Sequence, residues 1–382
     1  MRIKLQYLLI SSALFSMNDV YADYDRFAAG IRVQEYWDSN FSRTPEADSE
    51  HYTQASLYTT LKYQVSRQAL SARVRGVRYT YAQREDLDTD FYDGEASWKS
   101  QWGNRLKTEV SWDRMAYLVD RLEFAEQDAV ARDDVNAMLT YGTGNRLSFS
   151  AGARQTAQTH SNDLREALDF DEEEVFAELA YQASGESTLS LRLRNGEREY
   201  PNPLPSEEFR DLDFEYRQAE LQGIWNTSSK TSLKVNVGYI DRLGEINAGK
   251  GSLASINGSW TITDKIKLTT GYALTRPPLG EASDSPEQED SVFINIGWRP
   301  QERWNLHSGI KYSRQAYQRS EFDEFEVTRD ENIYSVTPLA ADYHFSKLLS
   351  FRFESRWVDR QSSIIARDHS FALASLGVAF QF

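Results

Sequence analysis

Along most of this chain, apolar and polar residues alternate with a period of two, the signature of strands that present one face to oil and one to water. Leu57, Thr59, Leu61, Tyr63 and Val65 take one side of a segment whose other side is Ser56, Tyr58, Thr60, Lys62 and Gln64. Leu189, Leu191 and Leu193 likewise face away from Ser190, Arg192 and Arg194, and Leu349, Phe351 and Phe353 face away from Ser350, Arg352 and Glu354. The segment Leu233, Val235, Val237 and Tyr239 against Lys234 and Asn236 repeats the scheme.

Short polar turns end these segments at Ser66–Gln68, Gly103–Asn104, Gly142–Asn145, Ser184–Ser187, Asn226–Lys230, Thr263–Lys265, Arg299–Arg303 and Ser346–Lys347. Longer acidic connections fall between them at Asn40–Glu50, Arg84–Asp90, Glu123–Asp134, His160–Glu174, Glu197–Asp213, Gly244–Gly251, Pro277–Asp290, Tyr317–Glu331 and Asp359–Asp368. Tight and long connections thus alternate, with one more long than tight. That arrangement predicts about 18 strands, within roughly 16 to 20, with both ends of the chain on the tight-turn side. The expected fold is all-β: a transmembrane, antiparallel, up-and-down β-barrel with short periplasmic turns and long external loops.

A soluble β-sandwich would alternate too, but its tryptophans would meet in one core. Here all nine lie on the apolar parity of their segments. Trp98, Trp102, Trp225, Trp260, Trp298 and Trp304 lie near tight turns, and Trp37, Trp112 and Trp357 lie toward the long loops. Two rings of Trp match the two interfaces of a membrane. The final segment ends in Phe380-Gln381-Phe382, and such a terminal Phe is expected to serve as the signal read by the outer-membrane barrel-assembly machinery.

Arg2 and Lys4, the apolar stretch Leu5–Phe15 and the small residues near Ala22 read as a cleaved signal peptide over 1–22, leaving 23–382 as the barrel. Mean hydropathy is −0.62, which excludes nothing, because only alternate residues of a barrel strand meet lipid. The formal charge of −15, with no basic patch, argues against a nucleic-acid partner. Without cysteine there is neither a disulfide nor a lipidated N-terminal cysteine, so the fold itself must hold the chain in outer-membrane lipid and lipopolysaccharide.

Parity assigns the lumen a set of polar and charged residues. Tyr58, Arg73 and Arg75 come from early segments, Arg154, Arg192, Arg194, Glu220 and Lys234 from the middle, and Arg352, Glu354 and Arg356 from the end. Glu95, Lys99, Glu109, Glu178, Lys267, Lys311, His307 and His344 share that side. A barrel of this size encloses an aqueous channel unless a plug fills it. Each charge is read first as pairing across the wall and only then as a substrate contact. His51, His160 and His369 fall in or beside external loops, and neither Gly-x-Ser-x-Gly nor His-Glu-x-x-His occurs. These features argue against a barrel enzyme, and no cofactor is expected. The acidic run Asp169–Glu174 does not have the spacing of a calcium loop and reads as a solvated loop facing lipopolysaccharide.

Two stretches carry a likeness to a known family. Tyr36-Trp37-Asp38-Ser39-Asn40-Phe41-Ser42-Arg43-Thr44-Pro45 resembles the opening of EpsL-like barrels of exopolysaccharide operons, grouped among the β-barrel porins. Thr143–Phe149, and Asp211–Trp225 leading to Thr227-Ser228-Ser229-Lys230-Thr231, resemble hairpins of the same family. The resemblance implies a conduit for a polysaccharide polymer, with a periplasmic polysaccharide co-polymerase as a further partner, and no catalytic residue. The alternative that pattern leaves open is a general or small-solute porin.

Overall fold

The computed structural model describes residues 27–121, 123–124, 126–183, 187–202, 212–278, 286–317 and 329–382. The expected signal peptide, part of the Ser184–Ser187 turn and parts of several long loops lie outside them. The strands are β1 (Phe27–Asp38), β2 (Glu50–Val65), β3 (Gln68–Tyr81), β4 (Thr89–Trp102), β5 (Leu106–Leu118) and β6 (Ala129–Tyr141). Then follow β7 (Leu147–His160), β8 (Phe170–Gln182), β9 (Thr188–Glu199), β10 (Phe214–Ser228), β11 (Thr231–Gly244) and β12 (Gly249–Thr263). The last six are β13 (Ile266–Thr275), β14 (Gln288–Trp298), β15 (Trp304–Ala316), β16 (Asp330–His344), β17 (Leu349–Ser362) and β18 (His369–Gln381).

Each strand pairs antiparallel with the next in sequence, and β18 returns to pair with β1 from Gly30↔Gln381 to Asp38↔Leu373. The result is a closed 18-stranded sheet without a free edge. Closure satisfies every strand's hydrogen bonds within the wall, as a membrane interior demands. Phe382 completes the seam by exchanging two 2.8 Å backbone bonds with Ala29.

The alternation seen in the sequence becomes the two faces of the wall. Leu189, Leu191 and Leu193 point outward and are about half exposed, while Ser190 and Arg194 between and beside them are buried on the inner face. Trp37, Trp225, Trp260, Trp298 and Trp357 project from the outer face. In β16 the register against β17 slips between Val336 and Leu339, at a bulge containing Pro338. Proline has no N–H to give a ladder, and a bulge is where a sheet tolerates that loss.

All nine long connections of the sequence reading give up residues to strands, because the strands run farther outward: Glu50 belongs to β2, Asp90 to β4, His160 to β7 and Gly244 to β11. Asp134 belongs to β6, Glu197 to β9, Gly249–Gly251 to β12, Asp290 to β14, Glu331 to β16 and Asp359 to β17. The run Asp169–Glu174 is not a solvated loop either: β8 begins at Phe170, and Glu172 and Glu174 are buried on the inner face. The physical reason is shared. Beyond the hydrocarbon the outer face of a strand meets headgroups and water, so its outward residues turn polar and the apolar parity disappears. Pairs such as Lys250–Asp241 at 3.0 Å, His51–Glu35 at 3.0 Å and Trp112 Nε1–Asp133 at 3.0 Å occupy that outward level.

Candidate functional site: the lumen

The lumen has two differently built walls. On β6–β11, inward residues form an alternating ladder of acids and bases, in which strand pairing sets each charge beside its partner. Arg154 donates its Nε to Asp134 at 3.0 Å, and the Thr156 hydroxyl donates to the same carboxylate at 2.6 Å. Arg192 holds Glu178 through two nitrogens at 2.8 and 2.6 Å. Arg194 lies between Glu220 at 3.4 Å and Glu174 at 3.7 Å. Arg198 donates to Glu172 at 2.7 Å while its guanidinium lies 3.8 Å from the centre of the Phe170 ring.

Tyr216 joins the ladder from β10. Its hydroxyl is 3.0 Å from Glu172 and 2.8 Å from Glu174, and its ring covers Gly196, where a Cβ would lie 2.7 Å from the ring. Only glycine allows that close approach. Next to it, Phe214, Tyr216 and Ile240 form a buried apolar cluster on inward positions, with Tyr200 and Leu253 packed against it. Charged ladder and apolar ledge together border a recess of about 260 Å³ that opens to the lumen, reached also by Arg154, Arg194, Glu220 and Lys234.

The remaining sequence-selected residues sit on the opposite wall, formed by β1–β3 and β17–β18. Arg75 donates to Asp93 at 2.8 Å, and Arg352 approaches Asp342 at 3.5 Å. Arg73 faces the Tyr58 ring at 5.8 Å and Arg356 faces the Phe371 ring at 5.8 Å. Glu354 stands in register with Ser375. Tyr58 lies flat over Gly30, where a Cβ would be 2.6 Å from the ring, so it packs along the wall rather than projecting into the channel. Of the residues that parity assigns to the lumen, the structure brings Arg154, Arg194, Glu220 and Lys234 to one recess, where sequence reasoning missed Asp134, Glu172, Glu174, Arg198 and Tyr216. A signal was there: Glu172, Glu174 and Glu178 share one parity, as do Arg192, Arg194 and Arg198. Among the described residues, no three His, Asp or Glu side chains are arranged to hold a metal.

The external mouth is narrowed on the β18–β1–β3 side. Residues 39–49, which join β1 to β2, turn inward, and Phe41 is buried against Tyr81 and Leu87 with Tyr52 and Tyr79 around them. Tyr52, Tyr79 and Tyr81 are on the inner parity of their strands, since Tyr52 pairs with Tyr81 and Gln54 with Tyr79 on the same face as Tyr58.

No family model matches this chain, and no curated protein matches it. The likeness to EpsL-like barrels therefore rests on the turn motifs alone. Solved structures do match. The outer membrane protein OpdK from Pseudomonas aeruginosa aligns with a TM-score of 0.51 at 10% identity, covering 93% of this chain and 98% of that one. OccK9 (OpdG) from Pseudomonas aeruginosa aligns with a TM-score of 0.51 at 13% identity, covering 93% and 97%. OccK2 (OpdF) from the same species gives 0.51 at 11%, covering 94% and 97%. With its apolar outer belt and polar interior, the chain is an 18-stranded β-barrel of the Gram-negative outer membrane.

Proposed function

We propose that this barrel is a porin-type channel for passive diffusion of small hydrated solutes. The observation that carries the reading is the ladder of paired charges around an open recess of about 260 Å³, inside a closed wall whose outer face is apolar. Paired guanidiniums and carboxylates keep a lumen wet and still offer hydrogen bonds to a passing solute. The ledge of Phe214, Ile240 and Leu253 adds an apolar surface for solutes that are not polar throughout.

The pore-lining roles of Arg154, Arg192, Arg194, Glu220 and Lys234 belong to this proposal. So do those of Tyr58, Arg73, Arg75, Arg352, Glu354 and Arg356, with Tyr58 acting as a packing residue of the wall. Its partners are outer-membrane lipid, lipopolysaccharide and the assembly machinery that would read Phe380 and Phe382. Export of an exopolysaccharide finds no support in the comparisons. A mouth narrowed on one side by an inward loop also suits small solutes better than a threaded polymer. The test is conductance in planar bilayers together with swelling of liposomes in small sugars and amino acids. Purified barrel that folds yet passes neither ions nor solutes would refute the proposal.

A further inference from the structure

Resting on the channel reading, we infer that residues 39–49 are the external constriction of the pore and that Arg43 is the latch that holds them in place. Most of the contacts that fix this strap reach the inner wall or the neighbouring loops. At its start, Asn40 is 2% exposed and donates its side-chain amide to Thr44 O at 2.7 Å and to Ser370 O of β18 at 3.1 Å. Phe41 then enters the cage of Tyr52, Tyr81 and Leu87, with the guanidiniums of Arg84 and Arg121 at 5.3 and 5.4 Å from its ring.

Arg43 follows with φ of +57°, the left-handed region that a side chain of this size disfavours. Such a conformation persists only when surrounding contacts over-determine it. Those contacts are a two-pronged pairing with Asp38 at 2.9 and 2.7 Å, stacking 3.7 Å from the Phe371 ring centre, and Asp120 at 3.6 Å. Asp38 and Phe371 are on the inner parity of β1 and β18, so the guanidinium is bound to the inside of the wall. At the far end Asp48 accepts from the Ser42 N–H at 2.9 Å and its hydroxyl at 2.8 Å, and pairs with Arg84.

The strap covers the β18–β1–β3 side of the mouth, whereas the recess is bordered by β5–β14. A solute entering from outside is thereby directed onto the charged ladder and its apolar ledge. Releasing the strap should widen the mouth without altering the ladder.

The chain has no cysteine, which permits a clean test. Single-channel conductance is compared for the wild type, Arg43→Ala, and Thr44→Cys before and after reaction with a bulky thiol reagent. Thr44 is exposed on the strap, so its replacement leaves the latch intact. The expected results are higher conductance for Arg43→Ala, and a loss of conductance when the reagent is attached at position 44. Heat-dependent gel mobility checks that each protein is folded. If Arg43→Ala is folded but conducts as the wild type does, or if labelled and unlabelled Thr44→Cys conduct alike, the strap is not the constriction. The Thr44→Cys arm decides the matter alone if Arg43→Ala does not assemble. A folded wild type that forms no channel overturns the channel reading and this inference with it, a result distinct from a conducting wild type with indifferent variants.

Discussion

Two neighbours on β9, Leu191 and Arg192, should respond to substitution in opposite ways. Leu191 is 45% exposed on the outer face and in register with Leu179 of β8 and Leu221 of β10, in the middle of the apolar belt. An arginine there costs about 2–4 kcal/mol, which is roughly 30-fold to several hundred-fold in the folding equilibrium. Arg192 faces inward with two nitrogens on Glu178, stacks 5.2 Å from the Phe176 ring centre, and is opposite Glu220. Charge reversal at 192 would place a third carboxylate between Glu178 and Glu220, so it perturbs the wall as well as the field. Arg192→Gln is the cleaner change. It removes a charge-assisted pair of about 1–3 kcal/mol in a partly wet lumen and leaves the lipid face untouched. Leu191→Arg should lower the yield of heat-modifiable, outer-membrane protein. Arg192→Gln should assemble and move the reversal potential in a salt gradient toward cation preference. If Leu191→Arg assembles normally while Arg192→Gln does not, the register of β9 is inverted and the inner and outer faces are exchanged.

Glu331 is fully buried and accepts from Arg329 at 2.7 Å and Arg367 at 3.1 Å while also pairing with Arg360, so Glu331→Ala should destabilise the barrel by about 3–5 kcal/mol. An unchanged denaturant midpoint in detergent would contradict that. Removing Phe380–Phe382 deletes both backbone bonds between Phe382 and Ala29 and should slow assembly, measured as outer-membrane level after induction; normal levels would show that the seam closes without them. Burial pulls the Asp48 carboxyl upward, but the Ser42 N–H, the Ser42 hydroxyl and Arg84 outweigh it, and its pKa lies below the usual 3.8. A depressed folded pKa means that this anchor is complete above the unfolded value and is lost only as pH falls through the folded one. Conductance should therefore be insensitive to acidification from neutral until about pH 4, and a change near pH 6 would assign the strap to another group.

The strand count and both faces of the wall were legible because lipid imposes a strict rule on alternate residues. Leu189, Leu191 and Leu193 could hardly be read otherwise. The rule lapses where the strands leave the hydrocarbon, and there the reading stopped short. In β8, Asp171 and Glu173 face outward and Glu172 and Glu174 inward, so four acids in a row conceal a strand that is perfectly alternating in direction. Tyr216 was hidden for a different reason. Its position over Gly196 and between two glutamates depends on the register of β8, β9 and β10 together, which no single segment encodes. The inward strap left no mark in the periodicity at all, because its bonds join residues as distant as Asn40 and Ser370.

The same distinction governs what net charge can say about permeation. A chain of formal charge −15 would be taken for a cation-selective pore if its acids lined the channel. Yet the inner wall sets Asp134 against Arg154, Glu178 against Arg192, Glu172 against Arg198 and Asp93 against Arg75. Much of the acidic excess lies instead in the external connections and on outward positions such as Asp171, Glu173, Glu197 and Glu215. Outward charges act on a permeant across the wall and through solvent, where salt screens them over about 8 Å at physiological ionic strength. Of these pairs, Asp134–Arg154 and Glu172–Arg198 line the recess, within hydrogen-bond reach of a solute there. Selectivity should therefore follow which pair is broken rather than the total charge: neutralising Arg192 or Arg154 exposes a carboxylate to the channel, whereas neutralising Glu197 on the outer face leaves the reversal potential where it was.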